Sequence, residues 1–235
     1  MHLKQWLQQQ GGDWLRREMP GYCAFCLASA ARGRGWCEEC VVELPWNLHC
    51  CEQCGDPVVD SHSLCGHCLV DPPAFSVTHT SLLYQGVIQD LVHDFKFYAS
   101  PRAGMLLCEL MLLKPPPSKG DVFLPVPMSP ARARARGFNQ SYWLAERLGK
   151  TFNIPLVNAR RIKDSPSQRT LNRRERAANL AGAFVIDVPL PEHVVIIDDV
   201  VTTGSTGHAL ATAALKMGAK RVDIWAAART PLGKD

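Results

Sequence analysis

The sequence predicts an α/β fold, a mostly parallel sheet covered on both faces by helices, preceded by a small N-terminal region held together by metal. Three observations predict it. Strand-like and helix-like segments alternate from Phe75 onward; nine of the ten cysteines lie between Cys23 and Cys68; and four β-branched aliphatics, Val194 to Ile197, run straight into two adjacent carboxylates and a hydroxyl-rich loop.

With 235 residues, 46% of them hydrophobic and 20% charged, the chain has room for one full-sized domain and a smaller one. That composition excludes a disordered tail. The first twenty residues mix Lys4, Asp13, Arg16, Arg17 and Glu18 among their apolar positions, so they lack the continuous apolar core of a signal peptide. Met105 to Leu113 is too short to span a bilayer and is interrupted by Glu109. A cytoplasmic protein without membrane insertion is expected, and in that reducing compartment clustered cysteines point to metal ligation rather than disulfides.

Composition divides the chain into a lead-in over residues 1–20, a cysteine-rich region over 21–72, and an alternating α/β region over 73–235, with Pro72-Pro73 at the boundary. In the last region, Phe75 to Tyr84 reads as a strand, and Val87, Ile88, Leu91, Val92 and Phe95 give Gln85 to Phe97 helical spacing. A second helix covers Arg102 to Leu113 and ends before Pro115-Pro116-Pro117. Asp121 to Val126 is a buried strand, Phe138 to Lys150 a helix, His193 to Ile197 a second buried strand, Ser205 to Met217 a helix, and Arg221 to Ala227 a final strand.

Four CxxC pairs, Cys23/Cys26, Cys37/Cys40, Cys51/Cys54 and Cys65/Cys68, follow one another with ten residues between successive pairs. Each pair turns two sulfurs toward one ion, and two pairs supply the four thiolates of a tetrahedral site, so the array implies two structural zinc sites. Spacing favours sequential pairing and leaves an interleaved one open; Cys50, His49, His62 and His67 are alternative ligands, and an iron–sulfur cluster is an alternative occupant. A redox motif needs one pair, not four. About 50 residues with so few apolar side chains cannot hold themselves by burial, whereas a structural zinc contributes roughly 10–16 kcal/mol in small peptides. Cys108, alone on an apolar helix, reads as core.

The most specific segment is the run from Val194 to Thr206. Its strand ends in Asp198 and Asp199, which belong at an open strand end because an unpaired buried carboxylate costs several kcal/mol. Thr202, Thr203, Gly204, Ser205 and Thr206 then lead into a helix; such a bend turns backbone N–H groups toward one anion, and the helix start adds its positive end. It lacks the lysine of a Walker A loop and the spacing of a Rossmann fingerprint.

The second anion-seeking segment, expected as a basic loop, follows the other buried strand. Leu124-Pro125-Val126-Pro127-Met128-Ser129 is followed by Arg132, Arg134 and Arg136, then Gly137-Phe138-Asn139-Gln140. Alternating arginines present several planar donor forks, a match for a multiply charged phosphate group or a nucleic-acid backbone. From Ala131 to Arg176 there are ten Arg and two Lys against three acidic residues. That stretch expects anions.

The acidic pair and hydroxyl-rich bend resemble the phosphoribosyl pyrophosphate (PRPP) motif of type I phosphoribosyltransferases. RxRGFNQ at 134–140, the block Gln168 to Asn179, Asp94-Phe95-Lys96-Phe97 and the four CxxC pairs resemble the ComF family and its gluconate-utilisation relative GntX, over about residues 20 to 230. The resemblance implies a type I phosphoribosyltransferase-like domain behind a double zinc ribbon. It implies that Asp198 and Asp199 hold the ribose hydroxyls, that Thr202 to Thr206 bind the 5′-phosphate, and that Val126, Pro127, Arg132 and Arg134 line the pyrophosphate side. Arg136 joins the two aspartates as the residues nearest the reacting groups, and magnesium accompanies PRPP. Three functions fit: a competence protein aiding uptake of transforming single-stranded DNA beside a helicase partner, a phosphoribosyltransferase releasing pyrophosphate, and a PRPP sensor without turnover.

Overall fold

The computed structural model describes residues 21–31, 33–58, 64–163, 180 and 182–233. The lead-in, His62 and the block from Gln168 to Asn179 lie outside the described residues. The chain forms two compact units that divide between Leu44 and Pro45.

In the first unit, β1 (Gly21–Tyr22) pairs antiparallel with β2 (Ser29–Ala30), and the short helix α1 (Glu38–Val42) follows. Cys23 closes a turn through Cys23 N–H to Ala28 O at 2.8 Å and Leu27 N–H to Cys23 O at 2.9 Å. Cys37 is the extended N-cap of α1.

The second unit opens on the same device, displaced by 28 residues at all four cysteines. Cys51 N–H donates to Asp56 O and Gly55 N–H to Cys51 O, both at 2.8 Å. Cys65 is the extended N-cap of α2 (Gly66–Val70). The matching residues Leu27 and Gly55 both sit in the left-handed region, at φ of 63° and 70°. Glycine adopts that conformation freely and leucine does not.

The sheet of the second unit has the order β3 (Val77–Leu83), β8 (Arg221–Arg229), β7 (His193–Val201), β4 (Val122–Pro125), with every neighbouring pair parallel. Alternation along the strands separates two cores. Val194, Ile196, Leu124, Val222 and Ile224 share one core with Ala209, Leu210 and Ala214 of α7 (Ser205–Lys216), which the hairpin β5 (Arg160–Arg161) and β6 (Phe184–Val185) extends through Phe184. On the other face Trp225 lies edge-on to Phe123 and 5.9 Å from Phe152, beneath α4 (Pro101–Leu113) and α6 (Gln140–Phe152). Helix α3 (Val87–Phe97) packs on α4 and buries Ile88, Val92 and Phe95.

The expected parallel sheet, covered on both faces, is therefore present, with strand and helix bounds within a few residues of those read from the pattern. Two differences bear on the site. The strand expected to stop at Ile197 continues to Val201, because β8 stays paired with it through Val201↔Arg229. The arginine segment expected as a loop is instead the helix α5 (Pro130–Arg136). Ser129 caps its start by accepting from Arg132 N–H, Pro130 takes the first helical position, Ala and Arg favour helix within, and Gly137 ends it in the left-handed conformation.

Replacing the strained, exposed Leu27 by glycine removes a left-handed side chain from the first knuckle. We expect Leu27→Gly to stabilise the first unit by about 1 kcal/mol, read as slower amide exchange across residues 21–31, with residues 193–201 unchanged.

Candidate functional site

Strand β4 leaves the sheet at Pro125, opposite Ile197, while β7 runs four residues further. The vacated edge opens a cleft at the carboxyl end of the parallel strands, where such sheets bind ligands. The cleft offers about 330 Å³ of space when the open solvent at its mouth is counted, and its walls include Val126, Asp198, Thr202, Gly204, Thr206 and Gly207.

Asp198 reaches into this cleft from β7, and Asp199, next along the strand, faces the opposite side. Ser141 Oγ, in the first turn of α6, donates to Asp198 Oδ1 at 2.9 Å, and the Asp199 amide donates to the same oxygen at 2.9 Å. Burial is the main force pushing the Asp198 carboxyl up, to about 7; the charge of Asp199 adds to it, while Lys96 and the two hydrogen bonds oppose it. Asp199, 6% exposed, is met by Lys96 Nζ at 3.0 Å from its Oδ1.

Two adjacent carboxylates are thus not left bare at a strand end, as the sequence suggested, but sit inside the paired strand with individual partners. Lys96 was not recognised as part of the site, although it stands in the Asp94-to-Phe97 block that resembles the family. Its backbone carbonyl accepts from Gln140 Nε2 at 3.5 Å, and Gln140 Oε1 accepts from Arg136 Nη1 at 3.2 Å. A polar chain therefore runs from the arginine helix to the acidic pair. Asn139 fixes the junction: its Nδ2 donates to Val126 O at 3.0 Å while its Oδ1 accepts from the Tyr142 amide at 3.2 Å.

In the bend, Gly204 adopts φ of 76°, the left-handed conformation that lets the chain reverse into α7. Thr203 Oγ1 and Ser205 Oγ lie 3.0 Å apart, and Ser205 is buried. The first-turn amides of α7, at Thr206 and Gly207, have no carbonyl inside the helix to meet and border the cleft. Thr202 is exposed at the rim. His208, beside the bend, accepts the Ala74 amide at 3.1 Å on Nδ1, and His193 pairs with Asp223 at 2.8 Å at the far end of the sheet. Both are structural.

The three arginines do not lie on one side, as alternating positions in an extended loop would. One helical turn separates Arg132 from Arg136, which share a face, and Arg134 projects from the opposite one. Arg136 is half-buried and stacks its guanidinium 5.1 Å from the Phe97 ring; Arg132 and Arg134 are exposed, and among the described residues neither side chain makes an ion pair. Val126 and Pro127 continue from β4 along the cleft wall, half-buried.

The cysteines assemble into two clusters, Cys23/Cys26/Cys37/Cys40 and Cys51/Cys54/Cys65/Cys68, each with its sulfurs within 4.8 Å of one another. Pairing is sequential, and Cys50, His49 and His67 stand outside both sets. A tetrahedral zinc with sulfurs at about 2.3 Å needs sulfur separations of about 3.8 Å. Cys26 and Cys37 sulfurs lie 3.7 Å apart and those of Cys54 and Cys65 3.6 Å, so the residues fit the ion. The electrostatics agree. Burial acts to raise the Cys23 thiol, but the amides of Cys26, Cys37 and Phe25 outweigh it and bring it down to about 6. Cys54 is pushed up to about 12 by burial, against the Asp56 amide, with the charges of Cys51 and Cys65 adding to the rise. Four crowded thiols ionise together only around a cation.

Comparison with known proteins matches residues 14–69 to the double zinc ribbon domain model, which identifies both clusters as zinc sites. Among curated proteins, DNA utilization protein YhgH of Escherichia coli (strain K12) is 33% identical over 223 residues, covering 90% of this chain and 98% of that one. Competence protein F of Haemophilus influenzae is 28% identical over 221 residues, 88% and 96% of the two chains, and Competence protein ComFC of Bacillus subtilis 28% over 183 residues, 72% and 73%. Among solved structures, the purine phosphoribosyltransferase from Pyrococcus horikoshii aligns with 60% of this chain and 81% of its own at 24% identity and a TM-score of 0.31. A chain that shares a third of its residues with DNA utilization protein YhgH along nearly the whole of both, and carries a double zinc ribbon at its front, belongs to the ComF family.

Proposed function

We propose that the second unit binds PRPP with magnesium through a phosphoribosyltransferase-like site, and that the protein serves DNA utilisation of the competence type, aiding uptake of transforming single-stranded DNA. One observation carries the reading: Asp198, the first of the acidic pair, and a hydroxyl-rich bend line one cleft at the carboxyl end of the central strand, with the start of α7 beneath the bend.

In this reading the Asp198 carboxylate accepts from the ribose hydroxyls, and Asp199, fixed by Lys96, keeps its neighbour oriented while adding negative charge for a cation. Thr202, Thr203, Ser205 and Thr206 hydroxyls and the first amides of α7 receive the 5′-phosphate, with Gly204 allowing close approach. Arg132 and Arg136 meet the pyrophosphate beside Val126 and Pro127, and Gln140 holds the Arg136 guanidinium in register. Arg134, on the outer face of α5, is the arginine best placed for a DNA phosphate or a helicase-like partner. Oxygen donors of this kind suit magnesium, which would screen the charges of the ligand. Names of the relatives, which speak of DNA utilization and competence, support the wider role, and among the described residues no helix is long and apolar enough to cross a membrane.

Three outcomes are expected. Calorimetric titration with PRPP and magnesium should show saturable binding that Asp198→Asn/Asp199→Asn abolishes, with zinc remaining at two ions per chain; wild-type affinity in the double variant would sink the site assignment. Because folding raises the Asp198 carboxyl from an ordinary value near 3.9 to about 7, the folded state holds the extra proton between those limits. Stability without ligand therefore falls as pH rises through that window and levels off above it, whereas PRPP affinity rises through pH 7. Asp198→Asn should flatten the thermal midpoint against pH and raise it at pH 8. Finally, Cys37→Ser leaves three thiolates in the first cluster, and metal analysis should fall from two zinc ions to one; two retained ions would contradict the four-thiolate assignment.

A further inference from the structure

The bend has to be held from behind, and the hydrogen bonds show by what. At the end of β7 the ladder with β8 stops at Val201↔Arg229. The Val201 carbonyl accepts the Thr230 amide at 2.9 Å and keeps a second lone pair, and beyond it the Thr202 carbonyl needs a donor. One side chain reaches both: Arg229 Nη1 donates to Val201 O at 3.2 Å, to Thr202 O, and to Thr230 O. The same guanidinium turns its other edge to the second cysteine cluster, where Nε donates to Cys54 O at 3.0 Å and Nη2 lies 3.4 Å from Asp56 Oδ1. Arg229 is 1% exposed.

Its partners on that edge are themselves fixed by the knuckle. Cys54 is a cluster ligand, and Asp56 O accepts the Cys51 amide at 2.8 Å. Asp56 Oδ1 also accepts the Leu232 amide at 2.8 Å. Asn47 Nδ2 donates to Gly55 O and Thr80 Oγ1, both at 2.8 Å, seating the knuckle on β3. A buried guanidinium needs its donors occupied, and two of this one's five acceptors lie on the knuckle that the four sulfurs gather.

We propose that Arg229 is a positioning residue that links metal occupancy of the second cluster to the order of the bend from Thr202 to Ser205. Metal at Cys51/Cys54/Cys65/Cys68 sets the Cys54 carbonyl and the Asp56 carboxylate; these set Arg229; Arg229 sets the carbonyls from which the bend begins. Only the consequence for ligand affinity rests on the PRPP reading above; the ordering does not.

The test is hydrogen exchange on the full chain, zinc-loaded and without ligand. In Cys68→Ser, and in Arg229→Met, amides 202–205 should exchange about tenfold faster, within the usual range of site-to-site coupling, while Val194 to Ile197 keep their protection and so report an intact sheet. Cys26→Ser, which empties the first cluster, should leave the bend unchanged. Equal exchange of the bend in wild type and Cys68→Ser, or an equal effect from Cys26→Ser, overturns the proposal. Where Arg229→Met loses the protection of Val194 to Ile197, Asp56→Asn decides, since it keeps the guanidinium and removes its carboxylate partner; an unchanged bend there also overturns it. Linkage adds a readout that a merely structural arginine would not give. PRPP with magnesium should slow zinc release from the second cluster to a zinc-selective chelator about tenfold, and release from the first not at all. If wild type binds no PRPP, the ligand reading falls, and the exchange comparison still judges the coupling.

Discussion

Two carboxylates side by side in a nearly buried strand are the constraint around which the second unit is arranged. Neither can be ionised without a partner, and their mutual repulsion forbids treating them alike. The structure separates them by the alternation of the strand. Asp199 turns toward α3 and takes Lys96; Asp198 turns into the cleft, where it has hydroxyl and amide donors but, among the described residues, no cation of its own. One acid is a fixture and the other is held in reserve. The early departure of β4 makes this workable, since it exposes the cleft edge of β7 without breaking its ladder to β8.

The cysteine clusters solve the opposite problem, too little burial. In the first unit the buried apolar residues among those described are Cys23, Trp36, Cys37 and Leu44. The core around the second cluster is Cys51, Cys54 and Cys68, with Val58, Leu64 and Cys65 against it. Side chains so few and so small cannot offset the entropy of ordering the loops around them. The sulfurs replace a core, and their 28-residue repeat carries the same turn, the same hydrogen bonds and the same left-handed residue, with leucine at one copy and glycine at the other.

Much of this was legible in the sequence. Period-two and helical spacing located the strands and helices, the CxxC spacing gave two sites, and the adjacency of Asp198, Asp199 and the Thr-Gly-Ser run marked one place in the fold. The arginine segment was misjudged because the alternation of Arg and Ala drew attention to charge and away from Ser129-Pro130 and Gly137, the start and stop signals of a helix. Lys96 and Ser141 were not identifiable as partners of the acids, since each lies many residues away and only the packing of α3 and α6 brings them in. Arg229 carried the weakest signal of all: a charge at the end of the apolar run Ile224 to Ala228 looks like a strand emerging into water, and the carbonyls that hold it belong to three separate segments.

The choice of arginine there follows from what surrounds it. Five oxygens from three segments converge on the site: the carbonyls of Cys54, Val201, Thr202 and Thr230, and the Asp56 carboxylate. Lysine offers three donors from a single point and could not span acceptors on two sides, whereas a planar guanidinium donates along both edges at once and stays charged when buried. The Asp56 carboxylate balances the charge, and the remaining donors are met by carbonyl dipoles, which must stay aligned for the arrangement to be stable. That requirement makes the residue a reporter of geometry on both sides. If the metal knuckle loosens, the guanidinium loses part of its shell, and the Thr202 carbonyl at the mouth of the bend loses its arginine donor in the same event. The second ribbon therefore stands behind the wall of the cleft, joined to it through Arg229, and in the proposed coupling its metal acts on the bend without touching anything in the cleft.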